Sequence, residues 1–165
     1  METHNAILTR RTIKEFKPDA VPADVLDRVL TAGTLAQNHR LTEPWRFYVL
    51  GPQTHAALAV MDAKMSTKPV IVAVTCVLQG DAFQRKEDYA AVACAVQNIQ
   101  LAAWAEGIGM QWGTGRTAMA PETTQLLGID PAAEEMVGLL FFGYPAVVPQ
   151  GRARKPLAEV ARRLP

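Results

Sequence analysis

Three cations, Arg10, Arg11 and Lys14, surround the hydroxyl of Thr12 in the stretch "LTRRTIKEF", residues 8–16. A guanidinium offers a planar fork of donors that matches phosphate oxygens, and a threonine hydroxyl adds one more donor. In extended chain, alternate residues share a side, so Arg10, Thr12 and Lys14 face one way and Arg11 the other. This is the composition of an anion site. The same cations would also settle at the C-terminus of a short helix, where the macrodipole favours them. The stretch alone leaves both readings open.

Three further segments carry groups that could join such a site. "AQNHRLTEPWRF" crowds Asn38, His39 and Arg40 into a loop between a helix and a strand, where binding groups concentrate; solvated surface is the plainer reading, and Trp45 reads as core. "QWGTG", residues 111–115, has glycines that let backbone approach a ligand closely. It is neither a dinucleotide fingerprint nor a Walker loop, and by itself it could be a turn. "GRARKP", residues 151–156, is a basic arm that would add to the anion site if it folded back, and is otherwise a solvated tail. No Ser/His/Asp or Cys/His nucleophile pattern accompanies these segments, and no carboxylate pair sits in a pocket motif. Phosphate-binding groups without acids or nucleophiles fit a protein whose cofactor does the chemistry.

The elements that must position these groups follow from the hydrophobic pattern. The 165 residues suit one domain, 1–165, with 49% hydrophobic and 20% charged residues. A formal charge of +1 argues against a dedicated nucleic-acid binder and leaves room for a local anion site. The N-terminus has no apolar signal-peptide core and no apolar run reaches membrane-spanning length, so no membrane partner is expected. Cys76 and Cys94 lie in apolar runs and read as buried free thiols without metal spacing. A reduced, cytoplasmic location is the expectation.

A short helix is predicted from Thr3, as N-cap, to about Arg10. Pro22 starts a second helix striped by Val25, Leu26, Val29 and Leu30, with Gly33 in its last turns. "WRFYVLG" reads as a strand, 54–65 as a helix, and "PVIVAVTCVL" as a strand buried on both faces. The longest helix, 84–106, is apolar on nearly every side, which fits a subunit interface or else a central core helix of a monomer. "GIGMQWGTG" is a short strand entering a loop, "PETTQLLG" a helix from Pro121 to Gly128, and "EMVGLLFFGYP" a third buried strand. The tail, 146–165, carries Arg152, Arg154, Lys155, Arg162 and Arg163 and is expected to wrap over a surface.

Taken in order, "RRTIKEF", "AQNHRLTEPWRFYVL", "DYAAVACAVQNIQLAAWAEGIGMQWGTG" and "VGLLFFGYP" before a basic, proline-rich tail resemble the nitroreductase family of FMN-dependent oxidoreductases, in its short bacterial form. The resemblance covers nearly the whole chain. It implies an α+β sandwich, a mixed central sheet flanked by helices, in an intertwined homodimer with two FMN molecules at the interface. It implies that Arg10 and Thr12 bind the FMN phosphate and ribityl chain, Arg11 contributes mainly backbone contacts, and Lys14 lies near the flavin N1/O2 edge. His39 would contact the flavin of the other subunit, Trp112, Gly113 and Thr114 would lie along the ring system, and Arg154, or Arg152 or Lys155, would close on the phosphate.

Leu35 is counted with this cofactor-binding set, at a position where a related type has an arginine. Glu43 stands where many members have glutamine, and the 61–69 connection is short; both bear on substrate choice. The implied activity is ping-pong hydride transfer from NAD(P)H through flavin N5 to a nitroaromatic, quinone or similar small acceptor, with no side chain as obligatory acid. Specialised flavin chemistry such as dehalogenation or dehydrogenation, a non-enzymatic flavin-binding module, and a basic-tail interaction protein are the alternatives.

Overall fold

The computed structural model describes all 165 residues, Met1–Pro165. Four strands, β1 (Trp45–Val49), β2 (Val70–Val77), β3 (Gly109–Gly113) and β4 (Glu134–Gly143), form one sheet in the order β1-β2-β4-β3. All three pairings are antiparallel. The parallel component of the expected mixed sheet is a single bridge, Thr12 to Met110, which adds the chain after the first helix to the β3 edge.

Seven helices accompany the sheet: α1 (Thr3–Thr9), α2 (Ala23–Thr34), α3 (Pro52–Met61), α4 (Ala82–Ala105), α5 (Arg116–Met119), α6 (Pro121–Leu126) and, in the exposed tail, α7 (Leu157–Val160). Thr3 is inside α1, with Glu2 at the cap position and no side-chain cap. The predicted 54–65 helix begins earlier, because Gly51-Pro52 starts it, and it breaks at Asp62 into a 3₁₀ turn, Ala63–Thr67. Asp62 takes the amide of Lys64 and the hydroxyl of Thr117, which ties this short connection to α5.

Strand alternation divides the core between the two sheet faces. Val72, Val74 and Cys76 pack with Val92, Val96 and Ile99 of α4 on one face, whereas Ile71 and Ala73 pack with Leu58 and Met65 on the other. β4 changes parity midway: Val137 and Leu140 share the first core, while Met136 and Leu139 share the second. A bulge explains this. Val74 pairs with Gly138 but Thr75 pairs with Met136, so one residue of β4 is skipped. Gly138 has φ +148°, and a Cβ there would sit 2.6 Å from Trp112 Nε1 and 2.7 Å from the Gly113 carbonyl oxygen. Glycine is required at this position on both counts.

On the α-helical face, α2 lies directly on α4. Gly33 permits the approach, since a Cβ would come within 2.7 Å of Ile99. α4 buries Asp88, Ala91, Ala95, Ile99 and Ala103 along one side. Its other side is open in the single chain, with Phe83 65% and Tyr89 40% exposed. Within the single chain the helix is therefore not covered on every side. No helix is long and apolar enough to cross a membrane.

Candidate functional site

The cation stretch is held in place by backbone bonds on both sides. Ile13, fully buried, donates its amide to Met110 O at 3.1 Å and fills the space above Gly109. Further on, Lys17 N donates to Tyr144 O at 2.8 Å, and Ala146 N donates to Glu15 O at 3.0 Å. The stretch is thus pinned between the β3 edge and the root of the tail. With Ile13 turned inward, Thr12 and Lys14 face outward.

Arg11 departs from the strict alternation. Its guanidinium folds back, and Nη1 donates to Leu8 O at 3.0 Å and to Arg10 O at 2.9 Å. It thereby satisfies carbonyls left over at the end of α1, the helix-end reading of these cations. A long, flexible side chain defeats a rule based on Cβ direction alone. Arg10 is left with no such partner: its Nη1 is buried and unpaired. Burial, then the neighbouring charges of Arg11 and Arg154, push the Arg10 pKa below the ordinary arginine value.

The tail folds back over this stretch. Arg10, Arg11, Thr12 and Lys14 share an open cavity of about 960 Å³ with Gly151, Arg152 and Arg154. Five cations line it against one carboxylate, Glu15. None of the five is ion-paired; both salt bridges of the chain belong to Arg28, with Asp24 and Glu106. A cluster of unpaired cations around one buried, unsatisfied guanidinium nitrogen is complementary to a multiply charged anion such as a phosphate.

The remaining predicted residues lie elsewhere. His39 lines a second cavity, of about 310 Å³, with Asn38, Glu87 and the half-buried Cys94. Leu35 is 78% exposed at the end of α2. Trp112 and Gly113 end β3, with Thr114 following; Trp112 Nε1 donates to Val137 O at 3.1 Å, and Gly113 lies against the Phe141 ring. None of these three lines either cavity, although their strand begins beside Thr12. Lys155, Arg162 and Arg163 are exposed. Glu15 and Gln97 line the first cavity without having been anticipated. Gln97 had one signal, a polar side chain on an alanine-rich helix.

Cys76 is buried between the sheet and α4, and burial, reinforced by Asp88 and Glu135, pushes its thiol up to about 11. It is inert at neutral pH. No group of His, Cys, Asp or Glu is arranged to hold a metal.

Comparison with known proteins agrees with this architecture. The sequence model of the "Nitroreductase family" matches residues 7–70 and 59–144. The Bacillus subtilis (strain 168) protein named "Putative NAD(P)H nitroreductase YfhC" is 30% identical, over 93% of this chain and 89% of its own. A crystal structure of a nitroreductase-like family protein from Bacillus cereus superposes with a TM-score of 0.90 at 28% identity, covering 99% of this chain and 96% of that one. A crystal structure of a putative nitroreductase in complex with FMN, from Desulfovibrio desulfuricans, has a TM-score of 0.83 at 28% identity, covering 100% of this chain and 98% of that one.

Proposed function

The chain belongs to the nitroreductase family, and from that membership we propose that it is an FMN-dependent oxidoreductase that takes electrons from NAD(P)H and delivers them to a nitroaromatic, quinone or similar small acceptor. The observation that carries this reading is the buried, unpaired Nη1 of Arg10 in a cavity whose cations have no anion of their own. The FMN phosphate fits that requirement, and similarity to the FMN-containing Desulfovibrio structure supports it.

FMN, when bound, supplies the hydride chemistry that no side chain here can perform. The residues hold and tune it. Arg10 and Thr12 bind the phosphate end, with Arg154 closing from the tail and Arg152 beside it. Arg11, already committed to carbonyls of residues 8 and 10, braces the backbone that presents Arg10. Lys14 places a positive charge toward the flavin edge, which favours the reduced, more anionic form. Trp112, Gly113 and Thr114 offer backbone donors at the end of β3.

His39 and Leu35 are apart from the cation cavity within one chain, while the outer side of α4 is open. A homodimer accounts for both facts. It covers Phe83 and Tyr89 and lets the His39 loop of each copy complete the site of the other.

An anaerobic titration of the as-purified protein with NADH and NADPH tests the proposal. The flavin absorbance should bleach with one or both nucleotides and return when a nitroaromatic or quinone is added. Bound flavin that neither nucleotide bleaches would make the chain a flavin-binding module rather than an enzyme. A colourless protein that takes up no added FMN would reject the reading altogether.

A further inference from the structure

Asp88 lies on α4 with no exposed surface, yet no cation pairs with it. Its carboxylate accepts from three neutral donors: Thr42 Oγ1 at 2.6 Å, Gln84 Nε2 at 2.9 Å and Gln79 Nε2 at 3.2 Å. A buried carboxylate costs desolvation that a well-packed apolar residue avoids, so stability alone does not explain it. The Thr42 bond spans 46 residues and joins α4 to the His39 loop.

That loop is under backbone strain. Arg40, Leu41 and Glu43 have φ of +57°, +53° and +44°, which L-residues with side chains seldom adopt. Leu41 is 81% exposed, so packing does not impose the conformation. Hydrogen bonds do. Asn38 Oδ1 takes the Glu43 amide at 2.9 Å, closing the loop on itself, and Thr42 fastens it to Asp88. His39 sits inside this closed turn and opens on a cavity bordered by Glu87, the residue before Asp88. Strain that persists because the surroundings fix it is a mark of a site that needs a set geometry.

We propose that Asp88 is a positioning residue that acts through Thr42 to hold the strained 39–43 turn, and so sets where His39 meets bound flavin. The flavin part of this proposal rests on the function proposed above; the anchoring part does not. Asp88→Ala removes all three acceptor contacts. Thr42→Val removes only the link to the loop and leaves Asp88 bonded to both glutamines, so it serves even if Asp88→Ala fails to fold. Asp88→Asn keeps an acceptor for Thr42 and should rescue.

Limited trypsin digestion reads the anchor directly, because Arg40 lies exposed in the turn. Cleavage after Arg40 should quicken roughly tenfold in Asp88→Ala and Thr42→Val, the scale of one lost bond to a charged group, and stay near wild type in Asp88→Asn. With FMN added, the visible circular dichroism of the bound flavin should weaken in the first two variants and be retained in the third. Unchanged cleavage in both Asp88→Ala and Thr42→Val would overturn the anchor. Faster cleavage with unaltered flavin dichroism would overturn the positioning role. Wild-type protein that binds no FMN would remove the flavin assignment, and the trypsin result would still decide the anchor.

Discussion

Gly151 in the exposed tail lies so close to Arg11, just beyond α1, that a Cβ at position 151 would sit 2.4 Å from Arg11 Nη2. The guanidinium cannot freely retreat, because its Nη1 holds the carbonyls of residues 8 and 10. This contact brings Arg152 and Arg154 to the cavity that Arg10 enters from the other side. Gly151→Ala should therefore shift the tail, leaving the core intact. FMN affinity should fall about tenfold or more, as a phosphate contact from the tail is lost, while far-UV dichroism and Tm hold.

Arg10→Ala should have opposite effects on the empty and the loaded protein. Removing a charge-assisted phosphate contact should weaken FMN binding by about 1.5–3 kcal/mol, roughly 10- to 150-fold. The flavin-free protein should be no less stable, because the variant removes a partly desolvated cation set beside Arg11 and Arg154. Calorimetry with and without FMN checks both halves.

Lys14→Ala should lower the reduction potential of bound flavin more than it lowers FMN affinity. Lys14 lines the same cavity as Arg10, but its proposed place is the ring edge. Redox titration alongside a binding isotherm separates the two effects. An unmoved potential would exclude Lys14 from that edge.

Gly138→Ala should destabilise the fold by about 2–3 kcal/mol. Its Cβ would meet both the Trp112 ring and the Gly113 carbonyl, and its φ of +148° suits glycine. Chemical denaturation followed by tryptophan fluorescence reads this, since Trp112 donates its indole hydrogen bond to the adjacent Val137 carbonyl.

The strands were legible because burial imposes a simple pattern on them. Val70–Val77 is apolar but for Thr75 because both faces are covered, and the sequence shows as much. The change of parity across Gly138 was not legible, because it depends on Trp112 arriving from β3. The cation stretch was readable as an anion site only when joined to the tail, which the structure brings back to it. Arg11 escaped the alternation rule because six bonds of side chain let its head reach the end of α1. Asp88 and Thr42 gave no signal at all, being far apart in sequence and ordinary in type.

Whether the Arg10 cavity holds the phosphate of FMN is decided by comparing FMN with riboflavin. The two share the flavin ring and differ by that phosphate. Isothermal titration of flavin-free wild-type protein should give FMN an affinity at least about tenfold above riboflavin, narrowing in Arg10→Ala. Equal affinities in the wild-type protein, or no binding of either, would mean that this cavity is not the phosphate site of FMN.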